Sequence, residues 1–195
     1  KPKLMIIGTT AYPLILDWER FGKITDMIGA YFVADISHVA GLILAGVYPS
    51  PVPFAHVVTT TTHKTLRGPR GAMIMVTKKG VDKNTEISDK IDKAVFPGLQ
   101  GGPHDNTIAG IAQALIEANT PEFREYGKQV VKNAKKLAEE LRAGGLTMVT
   151  GGTECHLIVV DLRPLGLCGN VVAEALEAAG IVVNRNSVPN DPTPP

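Results

Sequence analysis

The residues His56-Val57-Val58-Thr59-Thr60-Thr61-Thr62-His63-Lys64-Thr65-Leu66-Arg67-Gly68-Pro69-Arg70-Gly71 set the frame for the rest of the chain. His56 to Thr61 reads as a strand, dense in β-branched residues, and Gly68-Pro69 marks the turn after it. Lys64 therefore stands just past a strand end, where open α/β sheets present residues to ligands. Neighbouring arginines and a buried setting would favour a nucleophilic amine, of the kind that forms a Schiff base with a carbonyl. The alternative is an exposed loop lysine among solvated threonines.

Outward from that strand, apolar runs and helical periods alternate. Lys3 to Gly8 is a short apolar run closed by glycine, a buried-strand pattern. Asp17 to Gly29 carries Trp18, Phe21, Ile24, Met27 and Ile28 at helical spacing, with Asp17 as N-cap. Tyr31 to Ile36 predicts a second strand, Val39 to Ala45 a short helix, and Ala72 to Thr77 a further strand. Such alternation implies an α/β fold built on a mainly parallel sheet. Glu86 to Val95 reads as helix and Phe96 to Pro103 as a glycine-proline loop. Helices are expected over Asn106 to Ala118 and Pro121 to Ala143, with a subdomain boundary at Asn119-Thr120-Pro121. A strand (His156 to Leu162), a helix (Asn170 to Ala179) and a strand (Ile181 to Asn184) follow.

The 195 residues hold 44% hydrophobic and 20% charged residues, the composition of a globular protein with a full core. Twenty basic against 19 acidic residues leave a net charge of +1, which gives no support for a nucleic-acid or membrane-surface partner. No apolar run approaches the ~20 residues of a membrane span, and no segment resembles a signal peptide. Cys155 and Cys168 lack metal-ligand spacing and fit a reducing compartment, so the expected location is cytoplasmic. Lys1-Pro2-Lys3 leads straight into a strand, and Asn190 to Pro195 ends in loop chemistry. The chain is accordingly expected to be an internal piece of a longer protein.

Asp35 closes the second predicted strand and lies beside Lys64 if the two strands are neighbours. It is either a turn or cap residue or, paired with a Schiff-base lysine, the carboxylate that keeps a pyridine nitrogen protonated. His38, three residues on, could lie over the ring face or serve as a hydrogen-bonded structural histidine. Thr9, Thr10 and Tyr12 follow the first strand and point hydroxyls into the same crevice or form a turn. His63 could polarise a phosphate or hydroxyl, or pack. Gly101-Gly102 offers bare amides suited to a phosphate. No metal is expected, since His38, His56 and His63 have no i, i+4 pair or clustered carboxylates to complete a ligand set.

Four blocks carry a family resemblance: Ala34 to Leu42 (ADISHVAGL), Thr59 to Gly71, Val95 to Pro103 (VFPGLQGGP) and Asn184 to Asp191 (NRNSVPND). In this order they resemble the serine hydroxymethyltransferases along the whole chain. The resemblance implies a pyridoxal-phosphate-dependent transferase of fold type I. Residues 1–118 would be the C-terminal part of its large domain, and residues 119–195 part of the small α+β domain. It implies interconversion of serine and glycine with transfer of a one-carbon unit to tetrahydrofolate.

By the same resemblance Lys64 carries pyridoxal 5'-phosphate, Asp35 binds its ring nitrogen, His38 stacks on the ring and Thr10 lies near its phenolic oxygen. Thr61 and His63 lie near the substrate and the phosphate. Gly101 and Gly102 supply phosphate contacts to a neighbouring subunit of a homodimer or homotetramer, and Asn186 contacts the folate. Arg70 belongs to the lysine-loop motif, while Asn106 stands where a histidine is common. The resemblance places the family's substrate-carboxylate arginine beyond Pro195 and its acid-base glutamate before Lys1, so these residues alone are expected to show negligible turnover. Threonine aldolases and aminotransferases, which share an Asp and a Lys in this order, are the nearest alternative. A non-catalytic structural piece is the other.

Overall fold

The computed structural model describes residues 1–192; Thr193 to Pro195, the end of the expected terminal loop, lie outside them. The chain divides into two compact units. The first comprises residues 1–10 and 15–129, and the second residues 11–14 and those from Val130 onward.

The first unit is a four-stranded sheet of β1 (Leu4–Ile7), β2 (Tyr31–Asp35), β3 (Val57–Thr61) and β4 (Ala72–Val76), in that order. The β1–β2 and β2–β3 pairs are parallel, with Ile7 opposite Ala34 and Asp35 opposite Thr59. The β3–β4 pair is antiparallel, so the sheet is mixed. The cause is the link from Thr62 to Gly71, which holds no crossover helix of the kind a parallel return needs.

Helix α1 (Trp18–Ile28) starts where the Asp17 carboxylate accepts the Arg20 N–H at 2.9 Å. It stops at Gly29, whose φ of +71° closes the helix in the left-handed region. Trp18 and Phe21 each lie 6.4 Å from the Phe32 ring of β2, and Phe32 is fully buried. Beneath them His56 joins two strands, its Nδ1 accepting the Phe32 N–H at 2.9 Å. Burial, and then the Lys83 and Lys79 ammonium groups, push the His56 pKa down to about 4, against the opposing charge of Asp26.

Short α2 (Ala40–Leu44) follows β2. After β4 comes α3 (Lys78–Lys83), which the sequence reading had no segment for. The Thr77 hydroxyl caps it by accepting the Gly80 N–H at 3.2 Å, and Gly80 is required because a side chain would overlap the His56 carbonyl. Helix α4 (Ile87–Lys93) runs into one wide turn at Ala94–Leu99, interrupted at Phe96 (φ −134°, ψ 124°) inside the segment expected to be loop. Helices α5 (Asp105–Ala118) and α6 (Pro121–Ala143) form close to where expected. Thr120 makes the corner between them, its hydroxyl donating to the Glu117 carbonyl and accepting the Phe123 N–H. The division between the compact units falls inside α6, between Gln129 and Val130.

In the second unit β5 (Thr147–Met148) and β6 (Val160–Asp161) pair antiparallel, and α7 (Gly169–Ala178) follows. Thr153 and Cys155 are buried, and the Thr153 hydroxyl donates to the Leu157 carbonyl at 2.6 Å. Two expectations need correction. The strand expected over His156 to Leu162 is reduced to β6, because Thr153 ties the preceding residues into a turn. Ile181 to Asn184 forms no strand among the described residues, and Val182 is 83% exposed. An apolar β-branched run reads as a strand, yet it needs a neighbouring edge to become one.

Candidate active site

The parallel strands β1, β2 and β3 end side by side, and each delivers polar groups at or just past its last paired residue. From β1 come Gly8, Thr9 and Thr10; from β2 come Asp35, Ser37 and His38; from β3, through the threonine run, comes Lys64. Together with Ile6 they line one cavity of about 350 Å³. The crevice at the carboxyl end of such a sheet is the position topology assigns to a ligand. Gly8 is dictated by closeness, since a Cβ there would sit 2.6 Å from the Asp35 Cβ.

The groups are fixed by short hydrogen bonds. Asp35 Oδ2 accepts from the Thr59 hydroxyl at 3.1 Å, the cross-strand partner set by the β2–β3 register. Asp35 Oδ1 accepts the Ser37 N–H at 2.9 Å. Ser37 Oγ in turn accepts the Thr61 N–H at 3.0 Å, and Thr61 Oγ1 accepts from Lys64 Nζ at 2.9 Å. Carboxylate and amine are thus joined through Ser37 and Thr61. Lys64 is half-buried rather than enclosed, so its amine is reachable from the cavity.

Both imidazoles beside Lys64 are shifted toward the neutral form. Burial, and then the Lys64 ammonium, lower the His38 pKa, with Asp35 opposing weakly. His63 is lowered by burial, by Lys64 and by Arg70, against the Gly71 backbone, which favours the protonated ring.

Of the residues singled out in the sequence, the cavity gathers Lys64, Asp35, His38, Thr10 and Thr9, and Thr61 supports Lys64 from behind. His63 is not among its lining residues. Its Nε2 lies 3.4 Å from the Arg70 guanidinium, and its Nδ1 is buried without a hydrogen-bond partner. Gly101 and Gly102 are exposed and lie outside the lining. Asn186 and Tyr12 belong to the second unit, where both are exposed. Ser37 and Gly8 received no role in the sequence reading. Gly8 had a signal in its place at the end of an apolar strand; Ser37 acts through its backbone as much as its hydroxyl, and residue type alone does not announce that.

The model of the family described as "Serine hydroxymethyltransferase" matches residues 1–195. The chain belongs to the serine hydroxymethyltransferase family. It is 53% identical over 195 residues to "Serine hydroxymethyltransferase 2" of Rhodopseudomonas palustris. It is 54% identical to "Serine hydroxymethyltransferase" of Acidiphilium cryptum and 55% identical to "Serine hydroxymethyltransferase 1" of Bordetella parapertussis. Each match takes in 100% of this chain and 44% of the relative. The chain therefore spans less than half the length of these serine hydroxymethyltransferases.

Proposed function

We propose that this chain carries the cofactor-binding centre of a serine hydroxymethyltransferase, a fold-type I enzyme that interconverts serine and glycine with tetrahydrofolate as one-carbon acceptor. The observation that carries the reading is the meeting of the Lys64 amine, the Asp35 carboxylate and the His38 imidazole on one cavity. That donor set suits pyridoxal 5'-phosphate at its aldehyde and ring. An amine meets the aldehyde, an anion meets the protonated ring nitrogen, and a neutral imidazole offers its flat face without adding charge. When bound, the cofactor supplies a carbonyl that takes up the substrate amine and a ring that accepts the electron pair left when the serine Cα–Cβ bond breaks.

The chain's own residues do the rest. Lys64 would hold the cofactor through its aldehyde, and Thr61 orients the Lys64 amine. Asp35, fixed by Thr59 and Ser37, holds the proton on the ring nitrogen. Thr10 presents a hydroxyl on the same cavity for the phenolic oxygen. His63, beside Arg70, is assigned to the phosphate and substrate side. Gly101 and Gly102, exposed in this chain, are assigned to the phosphate of a neighbouring subunit in a homodimer or homotetramer, and Asn186 to the folate. Residues 1–118 are taken as part of the large domain and residues 119–195 as part of the small one. The protein is proposed to work in the cytoplasm. The activity is that of the full-length protein, and negligible turnover is expected of the 195 residues alone.

The test is serine cleavage by the full-length protein with and without tetrahydrofolate. Glycine formation that rises with added tetrahydrofolate and disappears in Lys64→Ala is expected. Cleavage indifferent to folate would point to an aldolase of the same fold, and transamination without cleavage to an aminotransferase.

A further inference from the structure

Thr65, the residue after Lys64, is not among the residues that line the cavity, yet it ties two of the lining segments together. Its hydroxyl donates to the His38 carbonyl at 2.9 Å and accepts the Gly41 N–H at 3.0 Å. One side chain therefore bridges the turn that carries Asp35, Ser37 and His38 to the loop that carries Lys64. The two backbones are pressed together at that point. Gly41 is buried in the first turn of α2, and any side chain there would overlap the Thr65 carbonyl. Thr61 and Ser37 make the second link between the same segments, through the Thr61 N–H to Ser37 Oγ bond. Two attachments flank Lys64, three residues before it and one after it, and both end on the His38 segment.

We propose that Thr65 is a positioning residue: its hydroxyl clasp sets where the Lys64 amine stands relative to His38 and Asp35, and so how well the cofactor aldehyde is held. This rests on the cofactor reading given above. Without the clasp the buried Gly41 amide loses its acceptor, the His38 carbonyl loses a donor, and the lysine loop is held from one side. Thr65→Val keeps the shape and removes both hydrogen bonds; Thr65→Ser keeps both.

The experiment compares wild type, Thr65→Val and Thr65→Ser in the full-length protein, with pyridoxal 5'-phosphate as the probe. A Lys64 amine displaced from its place beside His38 and Asp35 predicts a dissociation constant raised about tenfold or more in Thr65→Val. The visible band of lysine-bound cofactor should weaken in proportion, and kcat should fall with the KM for serine nearly unchanged. Thr65→Ser should restore all three. In the cofactor-free protein the Gly41 amide should exchange its hydrogen faster in Thr65→Val and at the wild-type rate in Thr65→Ser. A Thr65→Val protein with lowered melting temperature but unchanged cofactor affinity and band would make the clasp merely structural and overturn the proposal. So would slow Gly41 exchange in that variant. Wild type that takes up no pyridoxal 5'-phosphate would instead overturn the reading beneath it, even with Gly41 exchange as expected.

Discussion

Asp35 is held from two sides, by the Thr59 hydroxyl across the strand register and by the Ser37 N–H along its own chain. Both donors spare the carboxylate from rotating, so its charge is pre-aimed at whatever enters the cavity. Asp35→Asn keeps the size and removes the charge that would retain a proton on a ring nitrogen. It should lower kcat by about a hundredfold or more while the far-UV spectrum stays that of wild type, measured as glycine formation beside circular dichroism. That Lys64, Asp35 and His38 stand at strand ends was legible in the sequence, because a strand end is a place that pattern alone can locate. The direction of His63 was not. It directly precedes Lys64 in the chain, but its ring is drawn toward Arg70, a contact made by a loop whose path no residue pattern specifies. The lowered His38 pKa follows from partial burial beside Lys64, and that too needs the fold.

At the scale of elements, His56 is the joint between β2 and β3. Its Nδ1 must stay unprotonated to accept the Phe32 N–H. The unfolded chain binds a proton at the ordinary pKa of 6.5, whereas the folded chain resists it until about pH 4. Stability from this group is therefore complete above pH 6.5 and lost as the pH falls toward 4, by up to about 3 kcal/mol. The full-length protein should lose apparent melting temperature across that window, and a His56→Asn variant, which keeps an acceptor but does not titrate, should lose less. Equal losses in both would assign the acid sensitivity to other groups. Helix α1 was readable to the residue, because Asp17 and Gly29 are a cap and a stop with local physical causes. Helix α3 was not, since its glycine argues against a helix until the His56 carbonyl above it is known to forbid anything larger. Ile181 to Asn184 failed the other way, being strand-like in composition but without a partner strand among the described residues.

At the scale of the whole molecule, one compact unit holds every residue that lines the cavity, and the chain covers 44% of relatives that carry the same family name. Among the described residues no helix is long and apolar enough to cross a membrane. The α/β class was legible from the alternation of strands and helices. The antiparallel return of β4 was not, because it depends on how segments pack rather than on what they contain. The central claim is that Lys64 is the residue that takes up the cofactor. It is tested most directly by loading the full-length protein with pyridoxal 5'-phosphate, fixing the cofactor to its amine with borohydride, and mapping the labelled peptides. The account predicts the label on Lys64 within Thr59 to Arg70. A label on another lysine, or spread over many, would contradict it.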